Sequence, residues 1–192
     1  MSQRITLSLL FMLLSQLVSA QTDKQVWQFS GSLNFQAHTL PFHDIKGHFQ
    51  NAGIALGALR TLGEKQAFGL RLQAGLFSNR MMGNSFELDA SFRYRPRLGS
   101  WLRVGAGIGM GWKRMGHPVQ TYQFQDGEWQ KVRNAKSQLI IPVDFQLALN
   151  RQTAFNPFIA YRWVPALFYN AVLPVNMYSQ FQAGVTFKIQ QS

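Results

Sequence analysis

The feature of this sequence that most narrows its possible folds is an alternation of apolar with polar or small residues that returns eight times along the chain. A strand sends successive side chains to opposite faces, so a period of two marks a sheet with one apolar and one polar side. The clearest stretch is 85–95. There Phe86, Leu88, Ala90, Phe92 and Tyr94 share one face, and Glu87, Asp89, Ser91, Arg93 and Arg95 share the other. The same period runs through 26–37, 49–59, 67–77, 101–112, 137–149, 155–164 and 175–189. The segment 155–164 is the least regular, with Pro157 near its start. Segments of about ten residues with apolar-out, polar-in alternation are what a strand needs to cross a bilayer. An even count of eight matches the smallest bacterial single-chain barrels, and closure removes the unpaired edges of an open sheet. The expected fold is all-β: an eight-stranded antiparallel transmembrane β-barrel.

The bulk composition fits. Hydrophobic residues make up 46% of the chain while mean hydropathy is only −0.10, so apolar residues are dispersed rather than massed. Beyond the first twenty residues no run approaches the ~18 continuous apolar residues of a membrane helix. The absence of cysteine excludes disulfides, thiolate metal sites, cysteine nucleophiles and a lipid-modified N-terminal cysteine. The net charge of +11 fits either nucleic acid or an anionic membrane surface. Because Lys and Arg are scattered singly rather than in runs, no nucleic-acid partner is expected.

Residues 1–20 read as a secretory signal peptide and 21–192 as the barrel domain. Arg4 gives a positive start, Leu7, Leu9, Leu10, Phe11, Met12, Leu13 and Leu14 an apolar centre, and Val18-Ser19-Ala20 a small-residue cleavage site. A membrane-anchor helix is the alternative, but Ser15 and Gln16 interrupt an apolar stretch already short of the roughly 20 residues required.

Connections at 60–66, 96–100 and 150–154 are short, whereas those at 38–48, 78–84, 113–136 and 165–174 are mostly longer. Short periplasmic turns and long external loops give this rhythm, with both termini in the periplasm. Trp27, Tyr94, Trp101, Phe155 and Phe187 then fall near the periplasmic rim, and Trp112 and Trp163 near the outer rim, as amphipathic rings prefer.

A barrel of eight strands is filled by its own side chains. The charges expected inside are Arg71, Glu87, Asp89, Arg93, Arg95, Arg103, Asp144, Arg162 and Lys188. Opposite charges buried together must pair, so Arg71, Glu87, Asp89, Arg93, Arg103, Asp144 and Arg162 are read as a structural ion-pair network; a proton or ion pathway is the alternative. Gly105, Gly107, Gly109 and Gly111 leave room for neighbouring arginines; they lack the spacing and helix of a dinucleotide site. No cofactor and no metal are expected. His38, His43 and His48 show no ligand spacing on one face.

In the longest connection, Tyr122, Phe124, Asp126-Gly127, Trp129 and Val132 read as a hairpin that extends the barrel wall. Lys113, Arg114, Lys131, Arg133 and Lys136 flank it and could hold phosphates, those of lipopolysaccharide above all; a solvated basic loop is the alternative.

The last strand, Gln182-Ala183-Gly184-Val185-Thr186-Phe187-Lys188-Ile189, resembles the C-terminal assembly signal of outer-membrane barrels. In that family a polar residue, a glycine and two hydrophobics, here Gln182, Gly184, Phe187 and Ile189, are read by the barrel-assembly machinery. With Phe86 to Arg95 and Gln125 to Trp129, the chain resembles the small eight-stranded outer membrane protein β-barrel family. That resemblance implies a fold and an outer-membrane address, with outer-membrane lipids as partners. It implies no activity. Some small barrels modify lipid A, and palmitoyltransferase-type ones are similar in having a loop histidine with Asp and Ser elsewhere; His43, Asp44 and Ser78 are the catalytic candidates on that resemblance, against the leading reading of solvated loop histidines. The leading expectation is a structural or surface-binding barrel whose basic external loops contact lipopolysaccharide, and the alternative is a lipid A-modifying acyltransferase or deacylase. A conducting porin and a secreted soluble barrel for an apolar ligand come after these.

Overall fold

The computed structural model describes residues 27–37, 49, 51–63, 66–79, 83–116, 121–125, 127–132, 135–149, 154–168 and 174–189. The signal-peptide reading of 1–20 lies outside these residues. The strands are β1 (Trp27–Ala37), β2 (Ala52–Leu62), β3 (Phe68–Asn79), β4 (Gly83–Tyr94), β5 (Arg97–Leu98), β6 (Leu102–Gly116), β7 (Thr121–Gln125), β8 (Glu128–Val132), β9 (Ala135–Ile140), β10 (Val143–Leu149), β11 (Phe155–Leu167) and β12 (Val175–Ile189).

Ten of these strands form eight staves. β5 continues β4: both pair with β6 in one register, Tyr94 opposite Ala106 and Arg97 opposite Arg103, and Pro96 marks the interruption. β9 and β10 are likewise one stave broken at Pro142, with Ile140 opposite Gly111 and Val143 opposite Ile108 on β6. Proline has no N–H for the ladder. Neighbouring bonds hold the break together: Gly109 N–H donates to the Pro142 carbonyl at 2.9 Å and Ile141 N–H to the Pro165 carbonyl at 2.9 Å. Every neighbouring pair is antiparallel, and β12 pairs with β1 from Trp27–Ile189 to Ala37–Ser179, which closes the barrel.

All eight alternating segments are staves, with shifted ends. The larger extensions include the end away from the termini: β6 runs to Gly116, β11 to Leu167 and β3 to Asn79. The connection expected over 78–84 therefore shrinks to 80–82. Ser78 and Asn79 are strand residues opposite Asn84 and Gly83, not loop residues. The β7–β8 hairpin forms with Gly127 at φ +85°, where the D-G turn requires a left-handed glycine. Its strands pair from Thr121 opposite Val132 to Gln125 opposite Glu128; the residues that join them to β6 and β9 lie outside the described ones.

The alternation becomes a two-sided wall. β4 alternates buried and exposed along its whole length. Leu33, Ile54, Leu72, Leu88, Ile108, Phe145 and Ile159 are exposed on the outside of seven different staves. Soluble monomers rarely expose contiguous apolar patches beyond a few hundred Å²; a belt around the barrel is a surface made for hydrocarbon. The interior inverts the usual core: Gln28, Asn34, Gln36, Gln73, Gln180 and Gln182 are buried there. Small apolar clusters flank them along β9 to β12: Ile140, Val164, Ala166 and Tyr178 on one side of the charged centre, Ala148, Phe158 and Ala160 on the other.

Candidate functional site in the lumen and at the loop end

Each inward acid has a cation at hand. Asp89 on β4 accepts from Arg162 Nη2 on β11 at 2.9 Å, and Arg162 Nη1 donates to Gln180 Oε1 at 3.3 Å. Asp144 on β10 accepts from Arg93 of β4, and Arg71 Nη1 on β3 stands 3.9 Å from its other oxygen. Glu87 is the most crowded: Lys113 Nζ lies 3.1 Å from Oε1, Tyr178 Oη donates to Oε1 at 2.8 Å, Gln180 Nε2 to Oε2 at 2.8 Å, and Gln36 Nε2 to Oε1 at 3.3 Å. Lys113 Nζ also sits 3.7 Å from the centre of the Tyr178 ring, a cation–π contact.

Toward the termini end, Arg95 Nη1 donates to Gln28 Oε1 at 3.0 Å and Arg103 Nη1 to the Gln66 carbonyl at 3.3 Å. Two adjoining sets thus form in the interior, Asp144 with Arg93 and Arg71, and Asp89 and Glu87 joined through Arg162 and Gln180, while Arg103 lies at their termini-end margin. Such pairs cost desolvation, and good geometry with extra hydrogen bonds is what compensates it. Glu87, with three side chains donating to it besides its lysine, has that geometry.

Lys113 departs from the sequence reading, which placed it among the basic loop residues. It is 1% exposed and belongs to the lumen. The reason is parity: β6 continues four residues past 112, so Lys113 falls on the inward face with Gly111 and Met115. The same parity turns Arg114 outward, where it is exposed opposite Phe86. Lys131 is exposed on β8, and Lys136 is half-buried at the start of β9. Arg133 lies outside the described residues.

Tyr178, Gln180 and Gln36 were missing from the sequence reading as network members. Gln36 shares the inward face of β1 with Gln28 and Asn34, and Tyr178 shares that of β12 with Gln180 and Gln182. Only the pairing across the barrel shows that they converge on Glu87.

The glycines of β6 have two uses. A Cβ at Gly107 would stand 2.9 Å from Asp144 Oδ1 and 3.2 Å from Arg93 Cγ, and one at Gly105 would stand 3.1 Å from Arg95 Cγ. Gly111 instead lets β6 approach β4, since a Cβ there would meet the Leu88 carbonyl at 2.5 Å. Toward the termini end, a cavity of about 10 Å³ between Arg95, Arg103 and Lys188 takes roughly one water. Among the described residues no cluster of His, Cys, Asp or Glu could hold a metal ion.

Of the catalytic candidates, His43 and Asp44 lie outside the described residues. Ser78 is exposed on the outer wall, opposite Asn84. Of the assembly-signal residues, Gln182 and Gly184 lie on the inward face of β12, and Phe187 is exposed outward against Phe155 with ring centres 4.9 Å apart. Ile189 closes the strand opposite Trp27. At the loop end, Tyr122, Phe124 and Trp129 are exposed on the β7–β8 hairpin, Trp129 at 69%, and Phe124 meets Trp129 edge-to-face with centres 5.3 Å apart.

No protein-family description and no curated protein matches the sequence. Solved structures do match. Neisserial surface protein A is 12% identical with a TM-score of 0.59, over 87% of this chain and 98% of that one. Ail, the attachment invasion locus protein of Yersinia pestis, is 9% identical with a TM-score of 0.50, over 86% and 97%. The outer membrane enzyme PagL is 11% identical with a TM-score of 0.49, over 84% and 99%. At these identities the likeness concerns the fold. With the closed sheet, the apolar outer belt and the charged interior, the likeness to the first two gives this chain the fold of a small eight-stranded transmembrane β-barrel of the bacterial outer-membrane type.

Proposed function

We propose that this barrel is a non-enzymatic surface protein whose loop end engages lipopolysaccharide. The observation that carries the reading is the β7–β8 hairpin, which exposes Phe124, Trp129 and Lys131 on one face. Aromatic rings favour the boundary between hydrocarbon and headgroups, and a lysine beside them can meet a phosphate.

Trp129 offers the test. Its emission, taken as the difference between the native chain and Trp129→Phe, is followed as lipopolysaccharide is added to barrels in phospholipid nanodiscs. A blue shift that Lys131→Gln weakens and added salt reverses supports the reading. An emission indifferent to lipopolysaccharide removes it.

A further inference from the structure

The outer wall carries a groove of about 610 Å³ on β1 to β4 near the loop end, bordered by Leu33, Ala52, Ile54, Leu76 and Phe86. Its volume falls within the roughly 300–1,000 Å³ of small-ligand sites. The register shows how it is built. Leu33, Ile54, Leu76, Phe86 and Arg114 stand opposite one another in turn across β1, β2, β3, β4 and β6, a row of large side chains ending in a cation. One step toward the loop end, the outward positions become small: Ala52 on β2, then Ser78 and Asn84 facing each other on β3 and β4. Phe77 and Ser85, whose side chains turn inward, form part of the floor with Gly53, so the recess is bounded by bulk below and lacks it above.

Its chemistry changes along its length. The lower part is aliphatic and aromatic. At the upper end, the Ser78 hydroxyl and Asn84 amide are exposed next to apolar Leu76 and Phe86. Arg114 lies on the next stave, and diagonal neighbours in a sheet are about 7–8 Å apart, within reach of a long side chain. Trp112, on the same outward face of β6, packs its ring edge-to-face on Phe86 with centres 6.1 Å apart, which holds the border of the groove beside Arg114. Hydrogen-bonding groups facing hydrocarbon are costly unless they sit at headgroup depth.

We infer that this groove is a seat for one lipid A molecule, with an acyl chain lying against Leu33, Ile54, Leu76 and Phe86, a phosphate on Arg114, and the Ser78 hydroxyl and Asn84 amide bonded to the polar headgroup. The occupant is fixed by two things: a groove open to the membrane takes a hydrocarbon chain, and a guanidinium at its headgroup end takes a phosphate, bidentately where geometry allows. The choice of lipid A rests on the proposed function, which turns the loop end toward lipopolysaccharide. The hairpin and the groove are separate surfaces, so the two readings can fail separately.

The folded full chain, in detergent micelles with added lipid A, is examined by native mass spectrometry. The native barrel should retain one lipid A at energies that strip detergent and phosphatidylglycerol. Ala52→Trp, which fills the recess from the outside, should lower retention at least tenfold, Arg114→Gln about tenfold, and Arg97→Gln, at an exposed cation of the termini end, should leave it unchanged. Ala52→Leu is the milder filling variant, and heat-modifiable gel mobility checks that each variant is folded. The inference is overturned if folded Ala52→Trp and Ala52→Leu retain lipid A like the native chain, or if phosphatidylglycerol is held as firmly. If Lys131→Gln alone releases lipid A, the hairpin reading stands and the groove falls.

Discussion

Arg162 on β11 meets Asp89 on β4 across the lumen, Nη2 to Oδ2 at 2.9 Å, although the residues stand 73 positions apart in sequence. Both are buried and neither strand neighbours the other in the sheet. The pair therefore ties opposite parts of the wall through the interior. Removing one partner leaves the other charge buried and unmatched, which costs roughly 3–5 kcal/mol. Asp89→Ala should lose about that much in urea unfolding from phospholipid vesicles. Asp89→Leu combined with Arg162→Met, which removes both charges, should recover most of it.

Lys113 and Arg114 are adjacent in sequence and lie on opposite sides of the wall. Lys113→Met strips Glu87 of its nearest cation and should cost about 3–5 kcal/mol of barrel stability, with lipid A retention by the folded protein unchanged. Arg114→Gln should do the reverse: stability within about 0.5 kcal/mol and weaker retention. Unfolding curves and retention measured on the same two preparations check both.

How much of this was legible in the sequence follows from the period of two. Parity alone assigns Glu87, Asp89 and Arg93 to the inside, because β4 keeps its alternation from end to end. Lys113 went astray for the same reason in reverse: Trp112 looks like a rim residue, and nothing local says that β6 continues beyond it to Gly116. Pro142 and Pro96 interrupt pairing without shifting the register, so the sequence count of eight survives two breaks that divide the staves into ten strands. The convergence of Tyr178, Gln180 and Gln36 on Glu87, and the groove across β1 to β4, depend on which strands are neighbours and in what register. No single segment encodes either.

Gly107 is where the network and the backbone compete for space. An alanine methyl there would press on Asp144 Oδ1 and the Arg93 stem, at 2.9 and 3.2 Å. Gly107→Ala should cost about 1–3 kcal/mol through displacement of that pair. Gly31→Ala is the matched control: its nearest neighbour would be Leu56 Cδ2 at 3.9 Å, so its unfolding midpoint should show no loss.

The outer belt predicts a depth dependence. Leu72 is exposed at mid-strand between Ala58 and Ala90, whereas Leu98 is exposed at the turn beside Gly99. Leu72→Arg should cost about 2–4 kcal/mol in vesicles and Leu98→Arg about 0–1. Equal costs would mean that no hydrocarbon layer surrounds the barrel.

The central functional claim is that the barrel holds lipopolysaccharide without changing it. Its most direct test is the mass spectrum of lipid A from cells with and without the chain. The account predicts identical acyl-chain patterns while the folded barrel is abundant. Gain or loss of an acyl chain, abolished by His43→Ala, would contradict it and make the first long connection part of an active site.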